Sequence, residues 1–220
     1  MNFSLKKLYF IYFLLALSCS SSNDEPTNER AIAPQKSMDT QTPLGEHFVL
    51  ETTKSILLWK GKNALITHEG SIALHRGDIY LKTNGTYTGS FEFDLKNLKA
   101  FTKANSRNIS LEKHLKSGDF FDVERYPSAQ LQILLDSIID TNEHYMIVKL
   151  NLHGIDHNIE TRINVSEQKD TLLFKTHLII NRHNWGITYG SELSLGDKLI
   201  NKNVEVGLTA YFVKFQNNDN

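Results

Sequence analysis

The strongest constraint on the fold of this chain is a strict alternation of apolar and polar residues that recurs along most of its length. Tyr87, Gly89, Phe91, Phe93 and Leu95 share one face of a segment whose other face is polar. A period of two is typical of a β-strand with one buried side. An amphipathic helix would instead repeat its apolar residues about every 3.6 positions. The pattern therefore predicts strands.

Further alternating segments extend this prediction to an all-β domain. One short helix is predicted after Ser110 as its N-cap, and Asn84-Gly85 indicates a tight hairpin. About eight strands joined by such turns favour an eight-stranded antiparallel barrel with one short helix, because closure removes exposed sheet edges. The other apolar positions predicted to share a face are Ile72 and Leu74; Ala129, Leu131, Ile133 and Leu135; Met146, Val148, Leu150 and Leu152; Ile159, Thr161, Ile163 and Val165; and Val204, Val206, Leu208, Ala210 and Phe212.

The N-terminal residues have the composition of an export signal and a linker. Lys6 and Lys7 precede an apolar run at residues 8–17, which is too short to span a bilayer as a helix. Cys19 is the only cysteine in the chain. We therefore predict a lipoprotein signal peptide at residues 1–18 and lipidation of Cys19. Ordinary secretory cleavage that leaves a free thiol is the alternative.

The segment after the cysteine predicts the domain boundary and the location of the protein. Residues 19–44 are mostly polar, so they cannot bury enough apolar surface to offset the entropy cost of ordering. We expect a disordered tether there and a barrel domain at residues 45–216. The predicted location is that of an exported bacterial lipoprotein, anchored to a membrane on its periplasmic side or at the cell surface.

Several short motifs, in their order along residues 50–215, resemble those of the YceI-like family. The most informative begins at His114 and runs through Phe120 and Phe121 to Tyr126 and Pro127. Three features depart from the family pattern: Asn181 in place of an acid, Val148 in place of a glycine, and a polar insert at residues 102–108. The other motifs are Trp59 to Lys62, His68 to Gly70, Gly85, Gly89 to Asp94, Leu150 to Gly154, Asn181 to Ile187, Tyr189 to Ser191, and Gly196 to Lys198.

This resemblance implies a lipocalin-like barrel that carries a long-chain apolar lipid, such as a polyisoprenoid or a quinone-like lipid, without catalysing a reaction. A bound lipid is the only cofactor-like molecule expected. The alternative is a structural or interaction barrel whose interior is filled by its own aromatic side chains, since the chain contains 12 phenylalanines. The residues expected to bind lipid are Trp59, His68, Ile72, Leu74, Phe91, Phe93, Phe120, Phe121, Met146, Val148, Leu150, Arg182, Trp185 and Tyr189.

Four of these residues carry more detailed expectations. His68 lies on an apolar face, so it is either a core residue or a polar anchor for a ligand head group. Arg182 cannot be buried unpaired, so it either pairs with an acid such as Asp197, which we favour, or contacts a ligand head group. Phe120 and Phe121 are adjacent, and neighbouring residues of an extended segment point in opposite directions, so we expect only one of them to enter the barrel.

Other functional classes find little support in the sequence. Lys and Arg number 24 and Asp and Glu number 25, and their interleaving does not favour nucleic-acid binding. His153 and His157 flank Gly154 in a predicted hairpin, so their rings need not converge on a metal, and no metal site is expected. The sequence contains no Gly-x-Ser-x-Gly motif, and no catalytic residue is predicted. A homodimer remains open.

Overall fold

The computed structural model describes residues 45–63, 65–102, 104, 106–191 and 199–216. The predicted signal peptide, the lipidation site Cys19 and the tether lie outside the described residues, as does Asp197. Within the described ranges, no helix combines the length and the apolar character needed to cross a membrane.

The described residues form one antiparallel sheet of nine strand segments. Helix α1 spans Ile109–Lys116, and a 3₁₀-helix spans Arg182–Trp185. The strands are β1 (Glu46–Leu50), β2 (Ile56–Lys62), β3 (Thr67–Leu81), β4 (Tyr87–Phe101), β5 (Ser128–Ile138), β6 (Glu143–Leu152), β7 (Ile155–Gln168), β8 (Thr171–Asn181) and β9 (Asn203–Lys214).

The sheet closes into a barrel with eight strand positions, because β1 and β2 share one of them. Both segments lie between β3 and β9: Phe48 of β1 faces Lys214, and Ile56 of β2 faces Thr209. The chain turns between them at residues 51–55, where Ser55 Oγ donates a hydrogen bond to the Glu51 carbonyl at 2.7 Å. The pairing of β3 with β4 closes the barrel. The predicted eight-stranded antiparallel barrel with one short helix is confirmed.

The antiparallel order gives the barrel two different ends. At the hairpin end, β3 and β4, β5 and β6, and β7 and β8 are joined by short turns at residues 82–86, 139–142 and 169–170. At the loop end lie the β2–β3 turn, α1 with the segment that follows it, the turn at His153 and Gly154, and the segment after β8. Gly85 has a φ of 81°, which suits the predicted tight hairpin at Asn84-Gly85.

Aromatic side chains fill the hairpin end. Phe174 is fully buried and contacts the rings of Tyr87 and Phe212 at centroid distances of 5.1 and 5.4 Å. Burial raises the pKa of Tyr87 to about 12. Beside this cluster, His144 Nδ1 lies 2.9 Å from Asp136 Oδ1, and both side chains are buried. This end of the barrel is therefore packed with side chains.

Two local predictions were wrong for the same kind of reason. The cap of α1 is Asn108, whose side chain accepts from Leu111 N, so the helix begins before Ser110. Leu135 was predicted to face inward, but it is 43% exposed. The β5–β6 register shifts between Ile133 and Leu135, and Asp136 turns inward to meet His144. In both places a polar side chain that bonds its neighbours overrides the apolar pattern.

Candidate functional site

An apolar cavity of about 180 Å³ lies inside the barrel, bounded at the loop end by α1 and the segment after it. Leu111 and Leu115 of α1 line it together with residues of β2 to β9. Of the 14 residues predicted to bind lipid, ten line this cavity, and these are Trp59, His68, Ile72, Phe91, Phe93, Phe120, Phe121, Val148, Leu150 and Arg182.

The remaining four predicted residues do not line the cavity. Leu74 and Met146 are buried in the core of the barrel. Trp185 is buried as well, and its Nε1 donates to the Leu150 carbonyl at 3.1 Å, so this ring is part of the wall that supports the cavity. Tyr189 is 45% exposed and packs against the rings of His114 and Phe120, with centroids 4.8 and 5.3 Å away.

The prediction that only one of Phe120 and Phe121 enters the barrel was wrong. Both line the cavity, Phe120 buried and Phe121 half-buried. The backbone turns at this point and is not extended: Phe120 N bonds the Ser117 carbonyl, and Phe121 N bonds the Leu115 carbonyl. This turn allows two adjacent rings to face the same space. Together with α1 they form the wall of the cavity at the loop end.

The polar residues that border the cavity come from β2, β3, β7 and β8 and from the segment after β8, as far as the described residues show. These residues are Trp59 on β2, His68 on β3, Thr161 on β7, Thr176 on β8 and Arg182 after β8, and β9, which lies between β2 and β8, contributes apolar side chains. The walls contributed by β4, β5 and β6 carry apolar side chains alone. Thr176 Oγ1 is already hydrogen-bonded to the Arg162 carbonyl at 2.8 Å. The surface that the cavity presents to a guest is nevertheless apolar throughout.

Arg182 is buried and held by backbone carbonyls. Its guanidinium donates to the carbonyls of Ile187, Ile200 and Asn201 at 2.6, 3.1 and 3.2 Å. Burial lowers the pKa of Arg182 from its ordinary value of 12.5. The acid predicted as its partner, Asp197, lies outside the described residues. These carbonyl contacts tie the segment after β8 to the start of β9, which fixes the loop end around the cavity.

A polar cleft of about 420 Å³ adjoins Arg182 and was missed in the sequence. Ser191 Oγ accepts from Arg182 Nη2 at 3.0 Å and lies 2.6 Å from His183 Nε2. Burial lowers the pKa of His183 from 6.5, and the positive charges of Arg182 and Lys202 lower it further. His183 Nε2 and Ser191 Oγ are within hydrogen-bonding distance, and the tautomer of His183 decides which of them donates. Both residues lie in the family-like motifs Asn181 to Ile187 and Tyr189 to Ser191, but the sequence alone does not show that the 3₁₀-helix brings them together.

Other cavity residues were overlooked although the alternation contained the signal. Thr161, Ile163, Val206 and Leu208 occupied predicted inward faces, and all four line the cavity. The contribution of Leu115 had no such signal, because it depends on how α1 crosses the end of the barrel.

The profile of the YceI-like domain matches residues 48–212. The chain belongs to this family. No curated protein sequence matches it significantly. Two solved structures show the same fold as this YceI-like domain. Burkholderia cenocepacia BcnA is 14% identical, with a TM-score of 0.60 over 74% of this chain and 98% of the other. A polyisoprenoid binding domain from Saccharophagus degradans, implicated in plant cell wall breakdown, is 15% identical, with a TM-score of 0.56 over 76% and 98%.

Proposed function

We propose that this YceI-like domain binds a slim, long-chain apolar lipid non-covalently inside the barrel. The observation that carries the proposal is the apolar cavity inside the barrel, to which β2 through β9 all contribute residues. The similar domain from Saccharophagus degradans is a polyisoprenoid binding domain, which makes an isoprenoid chain the first candidate. Each CH₂ group moved from water into such a cavity contributes about 0.8 kcal/mol.

The size of the cavity restricts the guest. Typical small-molecule pockets measure about 300 to 1,000 Å³, whereas this cavity measures about 180 Å³. A long chain can therefore enter fully only if residues at the loop end move to make room for it. Phe121 is the half-buried ring of that wall, and its displacement would lengthen the available space. We infer that binding is coupled to a movement of α1 and the two phenylalanines.

The same small volume favours a second candidate function, an interaction barrel with a packed interior. In that case the cavity is a packing gap, and the protein acts through its surface. The two functions differ in one measurable property, because only the first requires a molecule inside the barrel.

Lipid carriage is tested by native mass spectrometry of the purified protein, followed by lipid extraction. We expect the wild type to carry an extractable apolar chain. Ile72→Trp places a large ring in the cavity and should abolish this material while the barrel remains folded. Leu58→Trp is the matched control, because Leu58 lies on the same barrel wall but is 52% exposed on the outer face. A wild type without lipid, in a barrel that also excludes added apolar chains, would favour the interaction barrel.

We also propose that the protein is an exported lipoprotein anchored through Cys19. The proposal rests on the basic residues, the apolar run and the single cysteine. The lipid groups attached to Cys19 would be the membrane anchor, because the polar tether offers no other means of attachment. Cys19→Ala should therefore move the protein from the membrane fraction to the soluble one. Sedimentation of this variant with membranes would contradict the proposal.

A further inference from the structure

Strands β7 and β8 are joined by backbone hydrogen bonds along only part of their length. Their ladder begins at the turn between them and ends at Asn164 and Lys175. Beyond it, residues 155–163 of β7 pair only with β6, and residues 176–181 of β8 pair only with β9, as far as the described strands show. The barrel wall is therefore interrupted between these two segments, in the half of the barrel next to the loop end. We call this interruption the side opening.

Side chains of β7 next to the side opening are less buried than their neighbours at the same level of the barrel. On the β6–β7 ladder, Met146 faces Thr161 and Val148 faces Ile159. Met146 and Val148 are buried, whereas Thr161 and Ile159 are half-buried. Val148 lines the same cavity as Ile159 and is only 2% exposed, so neither the cavity surface nor the level accounts for the difference. It comes from the missing neighbour on the β8 side.

The inward side chains of β8 change in the same way along the strand. Leu172 and Phe174 lie within the ladder and are buried. Thr176, Leu178 and Ile180 lie beyond it and are half-buried, although all three line the cavity. Apolar side chains of the cavity wall are therefore partly accessible from the side of the barrel.

A second place where neighbouring strands separate shows what a filled space looks like. Strand β4 pairs with β5 only as far as Asp94, but it continues to Phe101. There the start of α1 covers it: Asn108 N donates to the Ala100 carbonyl at 2.8 Å, and Ala100 is fully buried. Among the described residues, no such backbone hydrogen bond links a covering segment to the side opening.

Contacts at both ends limit the height of the side opening. Towards the hairpin end, Thr176 Oγ1 donates to the Arg162 carbonyl at 2.8 Å and lies 3.0 Å from Thr161 Oγ1. Towards the loop end, the rings of His157 and Trp185 pack with their centroids 5.4 Å apart. From Thr161 to His157, β7 rises by about 13 Å, at about 3.3 Å per residue. This height is ample for a hydrocarbon chain, because carbon atoms in van der Waals contact lie about 4 Å apart.

We propose that the side opening is a lateral portal through which an apolar chain passes between the cavity and the outside of the barrel. The part of a long chain that the cavity does not hold would lie along this portal. The inference rests on the proposed lipid-binding function. A cavity of about 180 Å³ holds only part of a long chain, and Leu178 and Ile180 continue its apolar wall to the side. Ile179, which is 62% exposed, extends that apolar surface to the outer rim.

The portal is tested by joining β7 and β8 across the side opening. Glu160 and Ile179 would face each other if the ladder continued, and both are exposed. In the Cys19→Ala protein, which has no other thiol, Glu160→Cys and Ile179→Cys are joined after folding by a short bismaleimide. Stopped-flow fluorescence then follows parinaric acid, a polyene fatty acid that becomes fluorescent when it leaves water.

The linker should slow both the uptake and the release of parinaric acid by about tenfold or more, because it blocks the route. The dissociation constant should stay unchanged, since a barrier on the route alters neither the free nor the bound state. The matched control joins Lys149→Cys to Asn158→Cys. These positions face each other on the β6–β7 ladder, so this linker connects strands that are already paired and should leave both rates unchanged.

A second measurement locates the part of the chain outside the cavity and needs no linker. In single-cysteine proteins, parinaric acid should slow the reaction of Ile179→Cys with a maleimide, because the chain lies against the outer rim. Octane is short enough to stay inside and should slow it less. Leu58→Cys is the control, since Leu58 is similarly exposed but lies on β2, on the outer face of the barrel. Neither probe should protect it.

The outcomes separate the portal from the function on which it rests. Unchanged rates in the linked protein, or a changed dissociation constant with unchanged uptake, would overturn the portal and leave lipid binding intact. If the linker does not join the two cysteines, the protection of Ile179→Cys decides, and its absence with bound parinaric acid overturns the portal. Exclusion of both probes from the unlinked protein would overturn lipid binding as well.

Discussion

The hairpin end and the loop end of this barrel divide the tasks of stability and access. At the hairpin end, short turns bring Tyr87, Phe174 and Phe212 into edge-to-face contact, and this region is filled with side chains. At the loop end, α1 and a turn carry Phe120 and Phe121 over a cavity. Aromatic residues are present at both ends. Whether they fill space or enclose it depends on the length of the connections that hold them.

The largest expected effect is on the free energy of unfolding, when a phenylalanine is replaced by alanine at each end of the barrel. Phe174→Ala should lower the free energy of unfolding by about 3–5 kcal/mol, because a fully buried ring leaves a cavity. Phe121→Ala should lower it by only about 1–2 kcal/mol, since that ring is half-buried. Chemical denaturation of the two variants measures both values.

Guest exchange should respond in the opposite order. Phe121→Ala opens the wall of the cavity and should speed the uptake of an apolar probe, whereas Phe174→Ala should leave uptake unchanged as long as the barrel is folded. Equal losses of stability at the two ends, or faster uptake in Phe174→Ala alone, would contradict the division between them.

A smaller effect should appear on acidification, because α1 is attached to the barrel by a carboxylate. Glu112 is 3% exposed and accepts hydrogen bonds from Arg107 and from Ala100 N. The hydrogen bond from Arg107 is the main cause that lowers the pKa of Glu112 below its ordinary value of 4.5. A lowered carboxyl pKa contributes stability above that ordinary value, and the contribution is lost as the pH falls below it.

Glu112→Gln should therefore lower the free energy of unfolding at neutral pH by about 1.5–3 kcal/mol, the range for hydrogen bonds to charged groups. Its stability should then depend less on pH below 4.5 than that of the wild type. Amide hydrogen exchange should place the acid-induced loss in α1 rather than at the hairpin end. An equally steep acid dependence in this variant would show that another carboxylate is responsible.

The smallest effect concerns Tyr189, which closes the aromatic cluster over the loop end. Its ring contacts those of His114 and Phe120. Tyr189→Ala should cost about 0.5–1.5 kcal/mol for these aromatic contacts and should shorten the residence time of a bound apolar chain. Tyr145→Ala is the control, since Tyr145 lies on β6 and its hydroxyl bonds Glu160 instead of the cluster. Identical residence times in both variants would exclude Tyr189 from the exit route.

The sequence predicted the fold where burial alone decides the direction of a side chain. The alternation through Phe91 and Phe93 placed both rings on the cavity wall, and the inward faces of β6, β7 and β9 were assigned correctly. These predictions succeed because a strand with one dry face has a period of two and allows few alternatives.

The remaining details depend on local polar bonding and on long-range geometry, and the alternation contains neither. After Leu95, both Lys96 and Asn97 are exposed before the inward face resumes, because the Asp94 side chain accepts from both of their backbone N–H groups. The volume of the cavity and the contacts of α1 depend on how distant segments meet. Trp59 was predicted to face inward, but its unpaired N–H became visible only with its neighbours in place.

The shared position of β1 and β2 has a consequence for how the chain folds. The barrel is completed only when these first strands pair with β9, the last strand, and Ser55 bonds a carbonyl 156 residues further along, at Tyr211. Pairing over such a separation makes folding slow, because the entropy cost of closing the loop is met before the contacts form. A chain interrupted before β9 would hold an open sheet with two bare edges. We expect such truncated chains to aggregate through these edges. Strand β9 is therefore needed for soluble folding as well as for closing the barrel wall.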